Sequence, residues 1–185
     1  DGNWRHDAGQ VGSWVLEEAV HFFDFALWFF ASKGAPVSIH ALGNSKGRAP
    51  ALYDNFTCTL RWADGTYALI NQCIAGFENH LVVEVAGSDG ALRSTWSGIH
   101  DRSDQPDYEL KVQPRGFPFE RGVREAEVRP LAPSGEVFEL ETLLTRTVTA
   151  FRERRALLTG SEARERVRLC LEADRSIREG REVAL

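Results

Sequence analysis

The apolar residues near the start of the chain recur every three or four positions. Between Val15 and about Ser32 the sequence contains no Gly or Pro. The apolar stripe of this segment consists of Leu16, Val20, Phe23, Leu27 and Phe30. This spacing predicts one continuous amphipathic helix, and Gly34 followed by Pro36 predicts its end.

The middle of the chain, from residue 37 to about 128, shows the two-residue period of half-buried strands. Residues 56–62 alternate between apolar and polar side chains, and Ala63-Asp64-Gly65 has the composition of a hairpin turn leading into a strand at 66–75. Further strands are predicted at 37–44, 80–86, 92–96, 107–113 and 123–129. Because the connections are short, we expect an antiparallel meander.

Helical spacing returns in the last third of the chain. Ser134 is a candidate N-cap for a helix with the apolar stripe Leu140, Leu144, Val148 and Phe151. A second helix is predicted to start at Thr159-Gly160-Ser161 and to end at Gly180. Its inward positions are expected to be Ala163, Val167, Cys170, Leu171, Ala173 and Ile177. The order predicts an α+β fold, with an open, mainly antiparallel β-sheet and helices packed on one face.

Composition narrows the class of protein. With 185 residues and 43% hydrophobic content, we expect a single domain over residues 1–185. The net charge of −5 is scattered along the chain, which excludes nucleic acid as an expected partner. The chain begins with Asp1 and contains no Met, so we expect a preceding segment.

Cysteine usage and hydropathy bear on the compartment. The three cysteines, Cys58, Cys73 and Cys170, lie in apolar sequence and are expected to be reduced core thiols, which favours the cytoplasm. The longest apolar stretch, Phe22 to Ala31, is interrupted by Asp24 and is shorter than the roughly 20 residues of a membrane span. The sequence therefore predicts neither a signal peptide nor contact with a membrane.

Candidate chemistry concentrates in the first helix. Glu17 and His21 are four residues apart and Asp24 follows three residues later, so a continuous helix places all three on one face. An imidazole suits proton exchange near neutral pH, and a neighbouring carboxylate can orient it. The same spacing also fits a structural ion pair or a core histidine. A metal site at Glu17 and His21 is a weaker alternative, because no third ligand is near in the sequence.

The residues around this helix form a recognisable pattern. Trp4-Arg5 precedes a glycine-containing loop, Gly9 to Gly12, and the run from Gly12 to Asp24 resembles G-x-L-x-D-x-G-x-H-x-x-D, in which residues 17–24 keep the spacing of D-x-G-x-H-x-x-D with two substitutions. This pattern resembles the C-terminal domain of the oxidoreductase family of glucose-fructose oxidoreductase, inositol dehydrogenase and rhizopine-catabolism proteins, Gfo/Idh/MocA. The resemblance continues through Asp54-Asn55-Phe56, the turn at 87–92 and the closing segment 173–183.

The resemblance assigns roles to individual residues. It implies that His21 accepts the proton of a substrate hydroxyl during oxidation, or donates it in the reverse direction. Glu17 stands where the family has Asp, and is expected to orient His21 or to bind an adjacent hydroxyl, with Glu18 as a possible substitute. The residues expected to line the substrate site are Trp4, Arg5, Trp14, Glu18 and Asp24. Asp24 is also expected to support the helix, and Ala19 stands where the family has Gly.

The resemblance implies that the chain is the substrate-binding half of an enzyme. We expect the chain to supply the substrate pocket and the catalytic histidine of an NAD- or NADP-dependent oxidoreductase for a sugar, cyclitol or related polyol. The family's N-terminal Rossmann domain is absent from this chain, and no G-x-G-x-x-G follows a strand, so the chain alone is expected to be inactive. We expect a homodimer or larger assembly through the open face of the sheet, and no bound metal.

Two other functions remain open at this stage. The chain could act as a ligand-binding or dimerisation module without redox chemistry. A metal-dependent lyase or isomerase that uses Glu17 and His21 is the third hypothesis. The sequence does not select a substrate, because one fold serves many substrates.

Overall fold

The computed structural model describes residues 4–46, 52–74, 76, 79–100, 102–114 and 126–185. The chain divides into two compact units, the first formed by Asp1–Ala75 and Leu158–Leu185 and the second by Gly76–Leu157. Each unit contains a four-stranded antiparallel sheet and at least one helix. The α+β class with mainly antiparallel pairing is confirmed, and the strands are divided between two sheets.

The helices of the first unit belong to the two ends of the chain. They are α1 (Ala8–Val11), α2 (Trp14–Glu17), α3 (Val20–Phe29) and α5 (Gly160–Glu179), with 3-10 turns at Trp4–His6 and Ala31–Lys33. Asp7 caps α1 through a bond from the Gly9 N–H, and Ser13 caps α2 through a bond from the Val15 N–H. Both caps fix where the chain turns into a helix before the candidate residues are reached.

The predicted continuous helix from Val15 is wrong in one respect: it is interrupted between α2 and α3. The carbonyl of Trp14 accepts from the N–H of both Glu18 and Ala19, at 2.9 and 3.4 Å, and a new helical ladder then starts from the carbonyl of Ala19. No Gly or Pro marks this interruption. Ala19, at the interruption, is fully buried in the core. The interruption therefore coincides with a core contact, and the local sequence contains no signal that predicts it.

The sheet of the first unit supports these helices. Its strands are β1 (Ser38–Asn44), β2 (Asn55–Arg61), β3 (Tyr67–Cys73) and the two-residue β8 (Val183–Ala184), in the order β3-β2-β1-β8. The first three match the predicted strands closely. The inward-facing residues that form the core are Ile39, Ala41, Phe56, Cys58, Leu60 and Ile70. Helix α5 packs on β1, and α3 contacts both α5 and β3.

Helix α5 begins and ends as its sequence predicts. Thr159 and Glu162 form a reciprocal capping box at its start, and Gly180 ends it with a φ of 62°. Its inward face differs from the prediction, because Val167 and Leu171 are 41% and 51% exposed. The buried positions are Leu169, Cys170, Ala173, Asp174 and Ser176.

The second unit is a meander followed by one helix. Its strands are β4 (Asn79–Gly87), β5 (Gly90–Gly98), β6 (Asp107–Pro114) and β7 (Glu127–Arg129), paired in that order, and its helix is α4 (Glu136–Arg152). The predicted strand 123–129 lies partly outside the described residues. The predicted cap Ser134 is wrong: Gly135, with a φ of 121°, is the N-cap, and the Ser134 hydroxyl donates to Glu139 instead.

The apolar stripe of α4 is exposed in its unit. Leu140, Leu144, Val148 and Phe151 are 46% to 73% exposed, and Ala150 is the buried residue of the helix. The pattern correctly predicts an amphipathic helix. What it does not reveal is whether the apolar side packs within the chain.

The cysteines fall into two groups. Cys58 and Cys170 are buried, and burial raises the pKa of both thiols to about 12, so both stay protonated. Cys73 is exposed, which corrects the expectation of three core thiols. Within the described part of the chain, no helix combines the length and the apolar character needed to cross a membrane.

Candidate active site

The turn that carries Trp4 and Arg5 is fixed to helix α2. The indole N–H of Trp14 donates to the carbonyl of Arg5 at 2.8 Å, and the ring of His6 meets the Trp14 ring edge-on at 5.6 Å. Trp14 is only 8% exposed and packs with Val11 and Leu52. Trp14, expected to bind substrate, therefore lies in the interior and anchors the backbone of Arg5. Trp4 is 52% exposed.

The side chain of Arg5 joins two neighbouring carboxylates. Its Nε donates to Glu17 Oε1 at 2.6 Å, its Nη2 contacts the same oxygen, and Nη2 also donates to Glu18 Oε1 at 3.0 Å. We call Arg5, Glu17 and Glu18 the carboxyl cluster. Glu17 is the more enclosed of the two acids, with 19% of its side chain exposed against 37% for Glu18.

The two acids of the carboxyl cluster repel each other. Partial burial raises the pKa of Glu18, and the hydrogen bond and charge of Glu17 raise it further, while the charges of Arg5 and His21 lower it. The guanidinium of Arg5 thus forms hydrogen bonds with both carboxyl groups. The ionised form of Glu18 is therefore less favoured than that of an isolated surface glutamate.

His21 lies in the first turn of α3 with its side chain exposed. In the part of the chain that the structure describes, the imidazole takes part in no hydrogen bond or ion pair, and the residue is exposed to solvent. The charge of His21 acts on Glu18, which places the imidazole within electrostatic reach of the carboxyl cluster. The structure thus brings together Arg5, Glu17, Glu18 and His21, while the expected direct bond between Glu17 and His21 is replaced by the bond from Arg5.

Asp24 faces a different partner. Arg166 of α5 donates from Nε to Asp24 Oδ1 at 2.7 Å, and its Nη1 donates to the carbonyl of Glu162 at 3.1 Å. Arg166 is largely enclosed, with 17% of its side chain exposed, so the pair fastens α3 to α5. The expected roles of Asp24, supporting the helix and lining the substrate site, stay predictions. Sequence reasoning missed Arg166, because its partner lies 142 positions away.

Three buried polar residues support the site from beneath. The Ser13 hydroxyl donates to Asp174 Oδ1 at 3.0 Å, which links the cap of α2 to α5. The Ser176 hydroxyl accepts from the Ala41 N–H at 2.9 Å and donates to the carbonyl of Arg181 at 2.6 Å. We call Ser13, Asp174 and Ser176 the buried polar set. The sequence signal for it was two polar residues interrupting the inward face of α5.

The carboxyl groups and histidines of the site do not gather around one point. Among the residues described by the structure, no three or more His, Cys, Asp or Glu side chains are placed to hold a metal ion. What the geometry offers is an accessible imidazole, a nearby pair of carboxyl groups and one guanidinium. That combination can exchange a proton and hydrogen-bond neighbouring hydroxyls.

Comparison with known proteins decides the family. Residues 1–93, half of the chain, match the model of the GFO/IDH/MocA C-terminal domain. The chain belongs to the GFO/IDH/MocA family. No curated protein sequence matches the chain.

Solved structures share this fold at low sequence identity. An aldose-aldose oxidoreductase from Caulobacter crescentus, complexed with glycerol, covers 99% of the chain with a TM-score of 0.71 and 18% identity. A levoglucosan dehydrogenase in complex with NADH and levoglucosan covers 99% with a TM-score of 0.73 and 16% identity. An oxidoreductase from Agrobacterium radiobacter in complex with NAD+, L-tartaric acid and magnesium covers 90% with a TM-score of 0.61 and 16% identity.

These structures are about twice as long as the chain. The chain spans 51%, 53% and 47% of the three proteins respectively. All three are oxidoreductases, and two of them hold a nicotinamide dinucleotide. At such identities the likeness shows the GFO/IDH/MocA C-terminal fold, and each site residue must be argued from its own geometry.

Proposed function

We propose that the chain is the substrate-side half of an NAD(P)-dependent oxidoreductase for a sugar, cyclitol or related polyol, with His21 as its proton-exchanging residue. The observation that carries this proposal is the exposed imidazole of His21 beside the carboxyl cluster, in a domain whose family members are oxidoreductases. Glycerol and levoglucosan in two similar structures support a polyhydroxylated substrate.

In this proposal each side chain of the site has its own role. A ring nitrogen of His21 accepts the proton of the substrate hydroxyl as that carbon is oxidised, and returns it in the reverse reaction. Arg5 donates to the oxygen of a neighbouring hydroxyl, and the carboxyl groups of Glu17 and Glu18 accept hydroxyl protons. The exposed ring of Trp4 offers an apolar surface to the carbon face of the substrate.

The dinucleotide is proposed to bind outside this chain. No two glycines of the sequence are two residues apart, so the chain lacks the first element of a dinucleotide phosphate loop. The dinucleotide, when bound, would accept or supply the hydride. We therefore propose that a Rossmann domain of the full-length protein holds it, and that the 185-residue chain alone turns over no substrate.

We also propose that two copies associate through the outer face of the first sheet. Leu42, Tyr67 and Leu69 lie on the side of β1 and β3 opposite the core and are 58% to 67% exposed. Apolar exposure of this size on a sheet favours an interface. Sedimentation of the full-length protein and its Leu69→Arg variant tests this: a monomer at micromolar concentration before any substitution would count against it.

The catalytic proposal is tested in the full-length protein with a panel of polyols that includes glycerol, levoglucosan and inositol. For any substrate oxidised with NAD or NADP, His21→Ala is expected to lower kcat about 100- to 10,000-fold, the usual range for a general base. Dinucleotide affinity should stay unchanged. The matched control is His100→Gln, an exposed histidine in the second unit, which should keep full activity.

Other outcomes separate the rival functions. Retention of activity in His21→Ala within about threefold would remove His21 from the mechanism. Turnover that requires added zinc, iron or manganese and no dinucleotide would favour a lyase or isomerase. Ligand binding without any redox turnover would favour a binding module.

A further inference from the structure

Two buried side-chain oxygens in the described part of the chain have no hydrogen-bond partner. They are the amide oxygen Oε1 of Gln72, in β3, and the hydroxyl oxygen Oγ of Ser45, directly after β1. Buried polar groups in folded proteins are hydrogen-bonded with few exceptions, because an unpaired group loses its bonds to water. Each exception therefore needs an explanation, and a site that a ligand completes is one.

Gln72 belongs to the face of the first sheet that carries the helices. Ile70 and Gln72 are two residues apart in β3 and so project from the same side, and Ile70 lies in the core. Gln72 pairs in register with Phe56, which pairs with Gly43, so these residues form one row across the sheet. Ser45 extends the inward-facing series of β1 by one position beyond Gly43. Both unpaired oxygens thus belong to the end of the sheet where β1 and β3 finish.

Helix α2 begins near the same row. Ser13, the cap of α2, donates to Asp174 of α5 at 3.0 Å. Ile177, one helical turn after Asp174, covers Gly43, because a Cβ added to this glycine would lie 3.0 Å from Ile177 Cδ1. Since Gly43 and Gln72 share a row, the start of α2 lies at the Gln72 end of the sheet.

Helix α3 starts at that end of the sheet and runs toward the opposite end. Its C-cap, Phe30, meets the β2–β3 hairpin, since the rings of Phe30 and Trp62 are 4.9 Å apart. His21 is about 14 Å back along the helix axis from Phe30, and Gln72 is about 17 Å along β3 from Tyr67, at the hairpin. Since α3 contacts β3, these similar lengths place His21 at the Gln72 end of the sheet.

We propose that Gln72 is a substrate-binding residue that determines which pattern of hydroxyl groups is accepted. The inference rests on the proposed function, because it needs a polyol beside His21. A primary amide accepts a hydroxyl hydrogen through its oxygen and donates through its amino group. Gln72 is only partly buried, so rotation about its last side-chain bond can turn the oxygen toward a ligand. Ser45 lies two strands away, so Gln72 alone is assigned to the substrate.

The amide differs from the carboxyl cluster in charge. Glu17 and Glu18 accept hydroxyl hydrogens most strongly when they are ionised, and their ionisation varies with pH. Gln72 stays neutral, so its contribution to polyol binding should be the same at pH 5 and pH 8. This difference separates a hydrogen bond to Gln72 from any indirect effect of a substitution on the two acids.

Polyol binding to the full-length protein tests the proposal without turnover. Isothermal titration calorimetry compares glycerol, levoglucosan and inositol with analogues that lack one hydroxyl, in the wild type and in Gln72→Met. Methionine keeps the length and flexibility of the side chain without the amide. In the wild type, loss of the hydroxyl that Gln72 binds should weaken affinity about five- to tenfold. Gln72→Met should bind the parent polyol that much more weakly and should no longer distinguish it from this analogue.

Three further variants control the measurement. Asn71→Leu is the matched control, because Asn71 precedes Gln72 in β3 and is exposed on the opposite face, so affinity should not change. Gln72→Glu keeps an acceptor oxygen in nearly the same shape and should retain the discrimination between the polyol and its analogue. Gln72→Leu repeats the test with a second apolar side chain if Gln72→Met does not fold.

Two results would overturn the proposal. Wild-type affinity and discrimination in Gln72→Met would assign the buried oxygen to a bound water. An equal loss of affinity for the parent polyol and for every analogue would show that the substitution disturbs the site as a whole. A purely structural amide also predicts a higher melting temperature for Gln72→Met with no change in discrimination.

This inference and the proposed function fail separately. A fully active His21→Ala variant together with lost discrimination in Gln72→Met would retain the substrate site and remove the proposed chemistry. An inactive His21→Ala variant together with unchanged discrimination in Gln72→Met would do the reverse. If none of the polyols binds, both proposals are wrong.

Discussion

The carboxyl cluster and the buried polar set both include a residue of α2 or of its cap, Glu17 in the first and Ser13 in the second, yet they differ in burial and in hydrogen bonding. In the buried polar set, Ser176 is fully buried and its hydroxyl both accepts and donates a hydrogen bond. In the carboxyl cluster, two partly exposed acids share one guanidinium. The first arrangement satisfies its polar atoms within the fold, whereas the second keeps oxygen atoms accessible to a ligand.

The contrast teaches where rigidity and chemistry reside in this domain. Buried hydrogen bonds hold α2 and α5 on the sheet. A substitution that removes one partner of such a bond leaves the other polar atom buried with neither a protein partner nor water. The exposed acids contribute little to folding, because solvent screens their charges. Substitutions in the buried polar set should therefore change the unfolding free energy by more than substitutions in the carboxyl cluster.

The largest loss of stability is expected for Ser176→Ala. The change leaves the buried N–H of Ala41 and the partly buried carbonyl of Arg181 without their hydrogen-bond partner. Removing one partner of a buried hydrogen bond costs about 1 to 3 kcal/mol, so we expect a loss of about 3 kcal/mol. Urea unfolding followed by circular dichroism measures it.

The control for that measurement lies on the same helix. Ser161, in the first turn of α5, is exposed, and Ser161→Ala should change the unfolding free energy by less than about 0.5 kcal/mol. Equal losses in the two variants would mean that the Ser176 bonds do not hold α5 to β1.

Asp174→Asn should produce a smaller effect that depends on pH. Burial raises the pKa of the Asp174 carboxyl, with the bond from Ser13 and the charge of Arg178 opposing it. A raised pKa means that the folded state binds the proton more tightly, so this group's stabilising contribution is complete below pH 3.8 and is lost as the pH rises through the folded value. The amide keeps the bond from Ser13 without ionising.

We therefore expect Asp174→Asn to match the wild type in acid and to exceed its stability increasingly at higher pH. Chemical unfolding at a series of pH values gives the difference. Ser13→Ala is the companion variant, since it removes the bond to Asp174 and the cap of α2, and should destabilise by about 2 kcal/mol. A wild type more stable than Asp174→Asn at neutral pH would show that ionised Asp174 is better stabilised than its burial implies.

Local patterns predicted the elements of this fold well. The alternation in residues 56–62 identifies β2, and the signals at Thr159, Glu162 and Gly180 locate both ends of α5. These features depend on residues within one element, so a single sequence contains them. The apolar stripe of α4 shows what these patterns do not predict. Periodicity identifies the apolar face of a helix, but not the residues that pack against that face.

The candidate site was predicted by resemblance more than by pattern. Spacing alone grouped Glu17, His21 and Asp24, but the break after α2 and the contact with Arg166 divide their roles. Trp14 shows the same limit, since its aromatic side chain fits a substrate site or a core equally well. Contacts between distant segments decide such cases, and no window of the sequence displays them.

The smallest expected effect separates the two acids of the carboxyl cluster. Burial, and then the hydrogen bond and charge of Glu17, raise the pKa of Glu18, so the ionised form of Glu18 is disfavoured in the fold. Its contribution to stability is complete below pH 4.5 and is lost as the pH rises through the folded value. Glu18→Gln removes the repulsion, and should raise stability at pH 7 relative to acid by no more than about 0.5 kcal/mol, because the site is screened.

Glu17→Gln is the matched comparison and should have the opposite sign. Two nitrogens of Arg5 contact the Glu17 carboxylate, so its loss should destabilise the protein by about 1 kcal/mol. Thermal unfolding of both variants at pH 4.5 and pH 7 measures the difference. Equal effects would mean that Arg5 stabilises the two carboxylates equally. Opposite signs would identify Glu17 as the residue that positions Arg5. Glu18 would then be the acid that can exchange a proton beside His21.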